Sequence, residues 1–148
     1  MAQGKQGGVN YSNLKYPFCR WKIVLASPTI RSMTEIILVD KPIRHTQLKE
    51  IATQGFGDLV KAVVDIEKEI MAVGGELHAD EEAFLLDQGS KQPDIWGINI
   101  YPDVALPDGL EFDSMINIRP SQNNPSRVVQ DPAIREKITE IVNKLIKE

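Results

Sequence analysis

The sequence predicts an α+β domain over residues 33–148, a mainly antiparallel sheet with helices on one face in the order β-α-β-β-α-β-β-α. Three observations carry this expectation. Short β-branched runs alternate with period two between turn residues, as half-buried strands do. Three stretches instead repeat their apolar residues at helical spacing, the last over several turns. Strands and helices are interleaved with short connections, and two pairs of adjacent strand runs invite antiparallel pairing.

Taken in order, Ile36–Val39 is a β-branched run ended by Asp40-Lys41-Pro42, since Pro42 cannot extend a ladder in a central strand. Leu48, Ile51 and Ala52 then fall at helical spacing between His45 and Gln54, with Gly55 and Gly57 placed to stop the helix. Residues 58–73 fit both periods. Leu59, Val63, Ile66, Ile70 and Val73 make a helical stripe, whereas Val60, Ala62, Val64 and Ile66 alternate as a strand does. Their β-branched density, and the charged Glu67-Lys68-Glu69 between two apolar runs, favour a hairpin although no Asn-Gly or Asp-Gly turn is present. A second helix is expected from about Ala79 to Gln88, ended by Gly89. In Ile95–Tyr101, Trp96, Ile98 and Ile100 point one way and Gly97, Asn99 and Tyr101 the other. Leu110, Phe112, Ser114, Ile116 and Ile118 repeat the alternation, predicting an antiparallel pair joined by the loop Pro102 to Gly109. Asp131 as N-cap, Pro132 at the first helical position, and Ile134, Ile138, Ile141, Val142, Leu145 and Ile146 on one side define the last helix.

The hydrophobic share of 42% and charged share of 26% are those of a globular chain. No apolar run approaches the roughly 18 to 20 residues of a spanning helix, so no membrane partner is expected. A single cysteine, Cys19, excludes an intramolecular disulfide framework and a cysteine-rich zinc site, and fits a reducing, cytoplasmic compartment. The formal charge of -4 is unevenly spread. Lys5, Lys15, Arg20, Lys22 and Arg31 lie in residues 1–32, which hold no acid, while all 21 acidic residues follow. The first 32 residues show no periodic apolar pattern and read as a non-structural basic extension, the domain starting at Met33. A transit peptide or a basic nucleic-acid arm are the functional readings of the same segment. The acidic remainder makes binding of extended duplex nucleic acid unfavourable.

Chemistry concentrates in three places. His78 and Glu82 stand four apart, so a helix sets them on one side as an acid-base pair requires; Asp80, Glu81 and Glu82 also suit a helix start simply as acids facing its positive end. The loop Arg119 to Arg127 brackets Ser121 and Asn124 with two guanidinium groups able to bind an anion, or is an ordinary polar turn before the final helix. Asn99, Tyr101, Asp113, Asn117 and Arg119 are expected on the sheet face opposite the apolar core, with Asp65 joining them from a neighbouring strand. His45 is the one other histidine, which rules out a histidine-rich metal site. With no P-loop, dinucleotide glycine pattern, zinc spacing or calcium loop, no cofactor and no metal are expected. Asp65, Glu67 and Glu69 are as well explained by a hairpin tip as by a carboxylate cluster.

Gly74 to Glu82 (GGELHADEE), Gly89-Ser90, Trp96 to Pro102 (WGINIYP) and Ser114 to Arg127 (SMINIRPSQNNPSR) together resemble a small bacterial family of unknown function along nearly all of residues 33–148. The resemblance implies a stand-alone domain and brings no activity, cofactor or catalytic residue. The residues themselves suggest binding of a small anionic ligand or a protein partner through Asn117, Arg119, Ser121, Asn124 and Arg127 with His78. The alternative is a phosphoester-type hydrolase in which His78 is general acid or base, Glu82 or Asp80 orients it, and Arg119 and Arg127 stabilise developing charge.

Overall fold

The computed structural model describes residues 35–148; the basic segment read as an extension, residues 1–32, lies outside the described residues. Strand β1 (Ile37–Val39) leads through β2 (Ile43–Arg44) into helix α1 (His45–Gln54). The ambiguous stretch is a hairpin, β3 (Val60–Asp65) and β4 (Ile70–Val73), paired antiparallel with Val63 opposite Ala72. Its turn is made without Asn-Gly. The Asp65 carboxylate accepts the backbone N–H groups of Glu67 and Lys68, each at 2.9 Å, and Glu69 takes the left-handed conformation at φ 55°. Asp65 is thereby spent on the turn and joins no polar face. Glu67 and Glu69 reach Lys137 and Lys144, at 3.8 and 2.9 Å.

Helix α2 (His78–Asp87) is followed by the short 3-10 turn Gln92–Asp94 and by β5 (Ile95–Ile100). Then come β6 (Leu110–Glu111), two more 3-10 turns, α3 (Pro132–Leu145) and β7 (Ile146–Lys147). The five-stranded sheet has the order β1-β4-β3-β5-β6, every neighbour antiparallel. β2 and β7 form a separate two-residue parallel pair. The predicted class and element order hold.

The main core lies on one face. Val60, Ala62, Val64, Met71, Val73, Trp96, Ile98 and Ile100 meet Leu48 and Ala52 of α1 and Ile138, Ile141, Val142 and Leu145 of α3. Asp131 caps α3 as expected, accepting the Ala133 N–H at 2.8 Å. The expectation that all helices share one face holds for α1 and α3. Helix α2 packs Leu85 on Val63, Ala72 and Ile95, whose side chains leave the opposite face by the period-two rule. No helix among the described residues is long and apolar enough to cross a membrane.

One expected strand is mostly absent. The alternation from Leu110 to Ile118 yields ladder pairing only at Leu110 and Glu111; Asp113 makes a single bridge to Val128, and Met115–Asn117 is a 3-10 turn. The Ser114 hydroxyl accepts the Ile116 N–H at 3.3 Å, diverting it from a ladder. The chain also crosses over β5 too closely to run beside it. A Cβ on Gly97 would lie 2.6 Å from Ser114 Cβ and 3.1 Å from Ile116 Cγ1, so the crossing needs glycine there. In place of a strand, the Asn117 carboxamide accepts the Gly97 N–H at 2.8 Å and donates to the Gly97 carbonyl at 2.9 Å.

Candidate functional site

Lys61, Asn99 and Glu111 stand in one row across β3, β5 and β6, paired in register, on the face that carries α2. The helix covers the other end of that face and leaves this end open. Its first residue, His78, and the crossing segment around Asp113 complete a cavity of about 220 Å³ whose polar lining is Lys61, His78, Asn99, Asp113, Ser114 and Arg127.

His78 is 8% exposed and its Nε2 lies 2.8 Å from the Ile98 carbonyl oxygen. A carbonyl only accepts, so Nε2 carries the proton. Burial pushes the imidazole below its ordinary value of 6.5 and the Lys61 charge adds to this, against the Ile98 bond and Asp113. The ring is therefore neutral at neutral pH, and Nδ1 finds no hydrogen-bond partner among the described residues. Arg127 is more than half exposed and its Nε donates to Asp113 at 2.8 Å. Asn99 donates to Glu111 at 2.8 Å.

Helix α2 starts without a side-chain cap, its N-cap being Leu77. The first amides of an uncapped helix and the positive end of its dipole favour an anion. The acids of the first turn oppose this less than their number suggests. Glu81 is completely buried, its carboxyl pushed up to about 8 by burial, against a 2.9 Å hydrogen bond from the Gly75 N–H. It is thus protonated at neutral pH. Glu82 faces Arg119, and Asp80 is left as the first-turn acid open to solvent.

The residues anticipated from sequence divide. His78 and Arg127 line the same cavity; Arg119 is not among its lining residues. Arg119 is 7% exposed, with its guanidinium 4.9 Å from the Trp96 ring centroid and 3.6 Å from the Glu82 carboxylate. Burial lowers its pKa, partly offset by Glu82, and its three nitrogens have no hydrogen-bond partner among the described residues. Glu82 meets Arg119 and the Gln92 amide, and makes no hydrogen bond to His78 among the described residues. Asn117 is buried at the edge of β5 rather than projecting from a polar face. Asn124 gives its amide to the carbonyls of Asn117, Ser126 and Val128 and accepts the Gln130 N–H. Ser121 is exposed in the 3-10 turn Pro120–Gln122.

Lys61 has no signal in the sequence, and Glu81, expected as an acid facing the helix end, is instead buried. Lys61 was one charged member of an alternating strand, with nothing in its spacing to connect it to His78. Glu81 had a weak signal in Gly75, six residues earlier: a Cβ there would lie 2.8 Å from Glu81 Cγ, so the glycine admits the acid.

Fold and cavity together define an antiparallel α+β domain with a recess lined by Lys61 and the Arg127–Asp113 ion pair at an uncapped helix start. The chain belongs to the family described as protein of unknown function (DUF5674), which matches residues 37–145. No curated protein and no solved structure matches the chain.

Proposed function

We propose that this domain binds a small anion, a phosphate or carboxylate group, in the recess at the start of α2. The observation that carries the reading is the convergence of Lys61, neutral His78 and Arg127 on one cavity of about 220 Å³. Lys61 and Arg127 supply charge, the His78 and Ala79 amides supply donors, and Nδ1 of His78 accepts from a protonated ligand oxygen. Asn117 and Asn124 shape the loop that presents Arg127 and make no direct contact. Cys19 and the sequence resemblance support a cytoplasmic bacterial setting.

Inorganic phosphate titrated into 15N-labelled protein should give saturable shifts at His78, Ala79 and Arg127, lost in Lys61→Met and Arg127→Ala. Absence of saturable shifts, or shifts that persist in both variants, would overturn the reading. The hydrolase alternative draws support from the free Nδ1 of His78, placed to take a proton. It loses the support of Glu82 and Arg119, which face each other. Turnover of p-nitrophenyl phosphate abolished in His78→Gln would favour it over binding alone.

A further inference from the structure

We infer that the anion received at Lys61 carries a ring-sized apolar group, which lies in a second cavity on the other side of that lysine; the inference rests on the anion-binding reading. A cavity of about 250 Å³ adjoins the recess and shares Lys61 and Leu77 with it. Its other walls are the apolar Ile51, Phe56 and Leu59, the polar Gln54 and Glu76, and the backbone of Gly74 and Gly75. An apolar cavity of ~150 Å³ takes up benzene, so this one has room for an aromatic ring and a substituent.

Two observations tie this partly apolar space to a charged ligand. Phe56 and Leu77, 49% and 57% exposed, are large apolar side chains left open to water beside the mouth of the cavity. Lys61 Nζ lies 5.1 Å from the Phe56 ring centroid, which sets the cation at the border between the two cavities. A ligand with its anionic group on one side of Lys61 and its ring against Phe56 and Leu59 fills both cavities without burying the charge. An aryl phosphate or aryl carboxylate has this chemistry; a bare inorganic anion leaves the second cavity to solvent.

The probes are inorganic phosphate, phenyl phosphate and phenol, titrated separately into the full-length protein while amide shifts are followed. Phenyl phosphate is expected to bind roughly tenfold or more tightly than inorganic phosphate, with shifts extending to Phe56, Leu59 and Gly75. Phe56→Ala, at an exposed position, should remove most of that excess, read as the ratio of the phenyl phosphate and inorganic phosphate affinities measured in the same variant. Phenyl phosphate binding no tighter than phosphate, or an excess untouched by Phe56→Ala, overturns this inference while the anion site stands. Phenol binding as tightly as phenyl phosphate also overturns it, because the ring would then owe nothing to the charge. If neither anion binds, the anion-binding reading falls and takes this inference with it.

Discussion

Glu81 keeps its proton in the folded protein at a pH where the unfolded chain has released it. Its carboxyl titrates near 8 when buried and near 4.5 in the reference state. Between those values the native state binds the extra proton, so the free energy of unfolding falls as pH rises, by roughly 1.4 kcal/mol per pH unit for one group. Its stabilising contribution is complete below about 4.5 and lost by about 8. Glu81→Gln retains an oxygen for the Gly75 N–H and cannot ionise; urea titrations across this window should show the slope removed and the variant more stable at its alkaline end. An unchanged slope would mean that Glu81 is not the group responsible. The two arginines separate on the same scale. Arg119→Met keeps an apolar side chain against Trp96 and should leave phosphate affinity unchanged, whereas Arg127→Ala should lose it. If Arg119→Met abolished binding, the anion would have to lie beside Trp96.

Helix α3 depends on its cap and its apolar face in unequal measure. Asp131→Ala leaves the Ala133 amide without its side-chain acceptor and should cost about 1 kcal/mol. Ile138→Ala opens a cavity in the main core and should cost about 2 to 5 kcal/mol, the ordering to be read from denaturant midpoints. At the edge of β5, Asn117→Ala strips both Gly97 backbone groups of their partner and should cost about 2 kcal/mol or more. The regular elements were legible because each is paid out in a repeating burial pattern: Ile138, Ile141, Val142 and Leu145 in α3, Val60, Ala62 and Val64 in β3. Residues 112–118 misled for the same reason. Alternation persists there while Ser114 and Asn117 redirect the hydrogen bonds, and side-chain competition with the backbone leaves no trace in an apolar period. Helix α2 hid its side of the sheet because its contact with Val63, Ala72 and Ile95 is small beside the main core.

Across the whole domain, the recess joins residues from β3, the start of α2 and the segment before α3. His78 and Arg127 stood out individually in the sequence as a histidine at a helix start and an arginine in a polar loop. That they meet each other and not Arg119 follows from the crossing over Gly97, a tertiary event without local signal. We propose Met33 as the start of the domain: a chain starting there should melt with the full-length protein, and a loss of about 4 °C, on the order of 1 kcal/mol for a domain of this size, would show instead that residues 1–32 contribute stability. The Asn117 clasp on Gly97 has a consequence for how copies of this protein coexist. An open strand edge is a template on which another chain can add and aggregate, and sequences ordinarily blunt it with charge, proline or a bulge. β5 lies inside the sheet, but β6 pairs only with its Asn99 and Ile100, and at Gly97 a single carboxamide occupies the donor and acceptor that an added strand would need. Molecules lacking it should self-associate as their concentration rises, even under conditions where each remains folded.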